Sequence, residues 1–321
     1  MILLWGVPGD APLDSVRAAL ERRGAEMCLL DQRLAASISV ALEIAPNGTV
    51  SGNIETPDGL IDLNSVRAAY IRPFATGKAC GAESPQDPVY LRAAAADLAM
   101  IAWANLASAT VVNRPDAMTA NNSKPYQLAL ISGFGFPVPD TVVTTDAGAI
   151  RCFCERHKNV IYKSVSGVRS IVSLLSTENQ QALTDVANCP TQFQEYVAGT
   201  DVRVHVIGDA VLATEIRSTA DDYRYASRSG ADLMMNPVVI PDGVADACRL
   251  MTRGMNLLFA GVDLRRTPDE QWYCFEVNPS PGFTFFEAIT GQPIAAAVAD
   301  LLLRFAPKVG RSVAPSYCSP R

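Results

Sequence analysis

AGVDLRR at residues 260–266 and CFEVNPSPGFTFFE at residues 274–287 read as two strands, the second running into a Pro- and Gly-bearing turn. At strand spacing Glu276 and Asn278 point to one face, and apolar Phe275 and Val277 to the other. Asp263 lies on the first strand. Asp, Glu and Asn present oxygen donors, which hard Mg²⁺ prefers while keeping room for phosphate oxygens. The same residues also suit a structural reading, in which Asp263 and Asn278 cap turns and Glu276 pairs with an arginine such as Arg265. Spacing alone leaves both open.

Composition narrows the classes. Hydrophobic residues make up 49% and charged ones 19% of the 321 residues, far from the polar bias of disordered chains. That length favours two or three packed lobes over a single core. A net charge of −6 works against a broad phosphate-tracking face, so nucleic acid is not an expected partner. The eight cysteines form no CxxC pair and there are only two histidines, His157 and His205, so a zinc site is not expected. Scattered thiols read as reduced and incidental, in keeping with a cytoplasmic location. The opening MILLWGVPGD lacks the basic flank of a signal peptide. Residues 93–112 are apolar, but Asp97 and Asn105 suit a buried helix better than a bilayer span, and residues 93–104 offer an inter-lobe or homodimer contact.

An α/β beginning is expected: strand 2–7, helix 13–23 closed by Gly24, and strand 26–30. NG at Asn47 and DG at Asp58 mark hairpin turns within 37–61, followed by a strand at 68–72. A polar loop spans 75–87, a long helix 88–108, and Pro115 breaks the chain between lobes. Helix, strand, helix and strand follow over 123–176, with a further strand at 170–174. Beyond 191 come several strands, a helix at 244–257, strands at 260–266 and 272–277, and closing helices. These elements give lobes at 1–115, 116–190 and 191–311, with a loose tail at 312–321.

The middle of the chain carries cationic residues in a defined order. Lys124 opens the segment NNSKPYQLALISGFGFPVPDTVV. Lys163 ends a strand in VIYKSVSGVRSIV, where small Ser166 and Gly167 let backbone N–H groups approach phosphate oxygens. FQEYVAG contains Glu195, Tyr196 and Val197. DVRVHVIGDAVLATEIRS and the following TADDYRYASRSG contribute Arg203, Arg217, Arg224 and Arg228. Neither a P-loop nor a GxSxG elbow is present, and GVPGDAP falls short of a dinucleotide fingerprint.

In that order these segments resemble the RimK-like ATP-grasp ligases, whose pattern has the Asp, then Glu-x-Asn-x-Ser-Pro-Gly, and upstream Gly-x-Pro-x-Pro-x-Thr. The resemblance covers nearly the whole chain. It implies a fold of class α/β and α+β, the three-lobed ATP-grasp fold, with ATP between the central and C-terminal lobes. It further implies that Asp263, Glu276 and Asn278 hold Mg²⁺, as two ions with Mn²⁺ as an alternative, and that Ser280, Pro281 and Gly282 shape the turn. Lys124, Lys163, Ser166 and Gly167 would contact phosphates, and the backbone of Glu195, Tyr196 and Val197 would read adenine. Arg217, then Arg203, then Arg224 would neutralise the transferring phosphoryl group and orient the acceptor.

By the same resemblance the expected activity is ADP-forming ligation of a carboxylate to an amine or hydroxyl through an acyl phosphate. The N-terminal segments DSVRAALERRGAEMCLLD and AAYIRP resemble ligases that crosslink ribosomal peptides, so ω-amide or ω-ester links in a peptide are expected first. A RimK-like amino-acid or small-molecule ligase is the alternative. A non-catalytic ATP-binding module is the third.

Overall fold

The computed structural model describes residues 1–165, 173–175, 183–218 and 232–306, and the side chains of 183–185 are not among those described. Ser166, Gly167, Arg224, Arg228 and the expected tail lie outside the described residues. The chain divides into two compact units, Met1–Val111 with Val298–Arg321, and Val112–Ala297.

In the first unit, β1 (Ile2–Gly6) is buried along its length and lies between β2 (Met27–Asp31) and β6 (Ala68–Arg72), parallel to both. A strand covered on both sides reads as a continuous apolar run, and ILLW does. The sheet order is β2-β1-β6-β7, with β7 at Thr110–Val112. Helix α1 (Ala11–Arg22) starts where the Asp10 carboxylate accepts from Leu13 N–H at 3.3 Å, and Gly24 at φ +61° ends it. Strands β3 (Ser39–Ile44), β4 (Val50–Thr56) and β5 (Gly59–Asp62) form the expected antiparallel meander.

The polar stretch after residue 75 is more ordered than a loop, because it holds a short helix, α2 (Thr76–Cys80), closed by left-handed Gly81. Thr76 at its start donates to the carboxylate of Asp97 at 2.7 Å, and Gln32 donates to the same oxygen at 2.9 Å. Asp97 lies within α3 (Pro88–Leu106), so its hydrogen bonds compensate for burial on an alanine-rich helix. Burial raises its pKa while those two hydrogen bonds oppose the rise. Among the described residues no helix is long and apolar enough to cross a membrane.

The second unit opens with α4 (Pro115–Met118) and α5 (Lys124–Gly133). A four-stranded sheet follows in the order β10-β9-β11-β8, from β8 (Thr141–Thr144), β9 (Val160–Ser164), β10 (Ser173–Leu174) and β11 (Thr191–Glu195). Helix α6 (Ala147–Arg156) covers one face through Ile150 and Phe153 against Val160 and Phe193. The larger sheet is antiparallel, in the order β14-β13-β12-β15-β16: β12 (Thr200–Ile207), β13 (Ala210–Ser218), β14 (Leu233–Val238), β15 (Phe259–Arg266) and β16 (Trp272–Asn278). Helix α7 (Asp242–Gly254) packs Ala245, Cys248 and Met251 onto Val202, Val204, Val262, Leu264 and Val277, one apolar face of that sheet. Helices α8 (Thr284–Thr290) and α9 (Ile294–Phe305) close the described chain.

Candidate functional site

One face of the five-stranded sheet belongs to α7; the other carries the charged residues. Cross-strand partners share a face, and Arg203 on β12 lies opposite Asp263 on β15, which lies opposite Glu276 on β16. Asn278 is the partner of Gly261, two residues before Asp263. Three of the expected side chains thus converge on one face with Arg203 beside them.

A β-bulge makes this convergence possible. Asp263 pairs with Glu276 but Leu264 pairs with Cys274, so Phe275 is the extra residue. Strict alternation would have placed Glu276 and Asn278 on the face of Cys274, which is buried in the core. The expectation that Phe275 accompanies Val277 is corrected here. Val277 is fully buried, whereas Phe275 lies under the Arg265 guanidinium, 5.2 Å from its carbon to the ring centroid.

Asp263 is not a turn cap. Arg203 grips both its oxygens, Nε to Oδ1 at 2.7 Å and Nη2 to Oδ2 at 3.1 Å, and Arg203 is only 7% exposed. Glu276 makes no side-chain hydrogen bond or ion pair among the described residues, and Arg265 does not pair with it. Arg265 instead donates to Asp201 at 2.7 Å and to the Val197 carbonyl at 2.8 Å. Asn278 accepts from Ser280 N–H at 2.9 Å, so its turn-capping role is real and orients the amide. Among the described residues no three His, Cys, Asp or Glu side chains cluster. Two carboxylates and an amide oxygen suit a cation that completes its shell with phosphate and water.

Arg217 is placed differently from Arg203. On β13 the partner of Arg203 is Thr214, so Glu215 and Arg217 alternate onto the opposite side of the sheet. There Arg217 Nε meets Glu215 at 2.8 Å, and its side chain is 67% exposed. Strand parity thus puts Arg203 with Asp263 and Arg217 on the other side of the sheet.

The lysines come from other elements. Lys124 is the first residue of α5, half-buried, and Pro125 follows it where a missing N–H costs nothing. Lys163 on β9 donates to Gln194 at 3.2 Å, on the face of the smaller sheet away from α6. In the Glu195–Val197 segment the N–H groups of Glu195 and Tyr196 donate to the carbonyls of Asp140 and Asn159, both at 3.0 Å. Arg265, holding the Val197 carbonyl, links that segment to β15. His157 meets Asp140 at 2.8 Å as a paired surface group.

Two positioning amides escaped sequence reasoning. Gln127 of α5 donates to the Val277 carbonyl at 2.8 Å and accepts from Val277 N–H at 3.0 Å, clamping the residue between Glu276 and Asn278. Asn113 donates to the carbonyls of Phe259 and Pro279, both at 2.6 Å, and accepts from Leu258 and Phe259 N–H at 2.8 and 3.1 Å. A polar residue in an otherwise apolar helix face, as in KPYQLALI, was the available signal for Gln127.

A family model described as the RimK-like ATP-grasp domain matches residues 120–302. Among curated proteins, beta-citrylglutamate synthase B of Danio rerio is 27% identical over 212 residues, 61% of this chain and 51% of that protein. A probable alpha-L-glutamate ligase of Chromohalobacter salexigens is 29% identical over 206 residues, 61% of this chain and 67% of that protein. The chain thus spans about half the length of the first of these relatives. Among solved structures, the ATP-grasp ligase PsnB complexed with minimal precursor superposes with TM-score 0.79 at 28% identity, covering 95% of this chain and 98% of that one. The macrocyclase MdnC of Microcystis aeruginosa MRC, bound with precursor peptide MdnA, shares the fold with TM-score 0.78 at 20% identity, covering 95% and 100%.

Proposed function

Because the chain belongs to the RimK-like ATP-grasp domain family, we propose that it is an ADP-forming ligase that joins a carboxylate to an amine or hydroxyl within a peptide substrate. The observation that carries the reading is the face shared by Asp263, Glu276, Asn278 and Arg203. The peptide is favoured over a free amino acid because PsnB, complexed with a minimal precursor, superposes on 95% of this chain with TM-score 0.79 at 28% identity.

In this reading Asp263, Glu276 and Asn278 hold Mg²⁺, or Mn²⁺ in its place, as two ions. The donor set fits: all three offer oxygen, and the Glu276 carboxylate beside Asp263 is a negative charge that a divalent cation offsets. The metal supplies charge neutralisation on the phosphates of ATP. Lys163 and Lys124 add point charges to the phosphates, with Ser166 and Gly167 bringing backbone N–H groups. Val197 N–H donates to the adenine edge, since those of Glu195 and Tyr196 are already engaged. Arg203, held by Asp263 through Nε and Nη2, offers its remaining N–H groups to the transferring phosphoryl group, and Arg224 and Arg217 serve the peptide acceptor or donor carboxylate. The substrate carboxylate takes the γ-phosphoryl, ADP leaves, and the acceptor then displaces phosphate.

Mass spectrometry of acidic precursor-type peptides incubated with enzyme, ATP and Mg²⁺ tests this. A loss of about 18 Da per bond is expected, the mass of the water removed by acyl-phosphate ligation. Glu276→Gln should lower turnover roughly a hundredfold or more. If peptides stay unchanged while hydroxylamine traps activated free amino acids with ADP release, the amino-acid ligase reading replaces this one. Nucleotide binding with no ADP release from either substrate class would leave a non-catalytic module.

A further inference from the structure

Arg203 is constrained on several sides. Asp263 takes its fork at 2.7 and 3.1 Å. The guanidinium carbon lies 5.5 Å from the centroid of the Phe286 ring on α8. Across the ladder, a Cβ on Gly261 would stand 2.5 Å from Arg203 Nη1 and 3.0 Å from Pro281 Cβ, so the side chain occupies the space that only a glycine leaves.

Phe286 is itself fixed. His205, two residues along β12 from Arg203, meets it edge to face, with centroids 5.1 Å apart and planes at 72°. His205 is fully buried, and its two ring nitrogens have no hydrogen-bond partner among the described residues. Burial first, and the Arg203 charge second, hold its pKa well below the ordinary 6.5, so the ring acts as a neutral aromatic spacer. Its other aromatic neighbour is Phe259, at 6.4 Å.

We propose that Gly261, Phe286 and His205 form a socket that positions Arg203 for the transferring phosphoryl group. The edge-to-face pair fixes the Phe286 ring plane, that plane fixes the guanidinium lying against it, and Gly261 leaves the path open. Donor N–H groups of a guanidinium held in place beforehand need no reorganisation during the reaction. The three act through Arg203 and are positioning residues. The proposal rests on the phosphoryl role given to Arg203 above.

Calorimetry of the full chain with Mg·ADP and with Mg·AMPPNP reads the contact to the third phosphate as a ratio of two affinities. Phe286→Leu and Gly261→Ala should each lower the AMPPNP preference about five- to tenfold, and His205→Leu about two- to threefold. The ADP affinity should stay within about twofold, because only the differential contact is lost. Phe286→Tyr keeps the ring face and should restore the wild-type ratio. Equal losses for both nucleotides, or an unchanged ratio, overturn the socket. Gly261→Ala leaves the aromatic wall in place, so it decides the matter if Phe286→Leu does not fold. If Arg203→Met itself leaves the ratio at its wild-type value, the phosphoryl role of Arg203 falls, and the socket with it.

Discussion

Asn113 makes four hydrogen bonds with one side-chain amide and so ties the start of β15 to Pro279 beyond β16. Replacing it with Ala leaves four backbone groups without these partners, and we expect a loss of about 3 kcal/mol in urea unfolding. His205 gives stability a pH dependence. Its folded pKa lies below its unfolded value, so the unfolded chain binds the extra proton. This contribution is constant above about pH 6.5, and as pH falls below that value stability drops by up to about 1.4 kcal/mol per unit until the folded pKa is reached. His205→Phe should flatten that slope in unfolding curves measured between pH 5 and about 7. At this scale Glu276 and Asn278 were legible as two oxygen donors on one side of a strand, while their convergence with Asp263 depends on the bulge at Phe275. The side of the sheet that Arg203 and Arg217 each occupy was not legible, since it depends on the register of β12 against β13.

At the scale of elements, β16 shows why alternation can mislead. CFEV reads equally well as a regular strand or a bulged one, and the core partners Val262 and Leu264 decide between them by claiming Val277 and Cys274. Deleting Phe275 would restore regular pairing without reversing a face. The variant should therefore fold, with thermal unfolding lowered by a few degrees, yet bind Mg·ADP at least about tenfold more weakly as the strand straightens. Gln127→Met keeps the volume of the side chain while leaving the Val277 N–H and C=O without it, at an expected cost of about 2 kcal/mol. Helix starts were legible wherever a carboxylate cap precedes a Pro, as at Asp10 and Asp87. The short α2 was not, because five residues of Thr, Gly, Lys, Ala and Cys carry no period, and its place depends on Thr76 reaching Asp97.

At the scale of the molecule, the apolar rhythm of residues 294–305 announces a helix without saying which unit receives it. Its residues from Val298 onward belong with the first unit, where Arg23 meets Asp300 at 2.6 Å. The unit containing β1 is therefore assembled from two distant stretches, with Val112–Ala297 inserted between them. During synthesis, β1 and α1 emerge before Val112–Ala297, while Val298, Ala299 and Leu302, all fully buried in the finished protein, emerge after it. Domains fold as units as their residues become available. The inserted unit can then reach its native state on the ribosome while the strands made first still wait. Released chains ending at residue 297 should resist protease within 112–297 and be cut within 1–111, and chains ending at residue 306 should be protected in both. That outcome would make the order of folding the reverse of the order of translation for these two units.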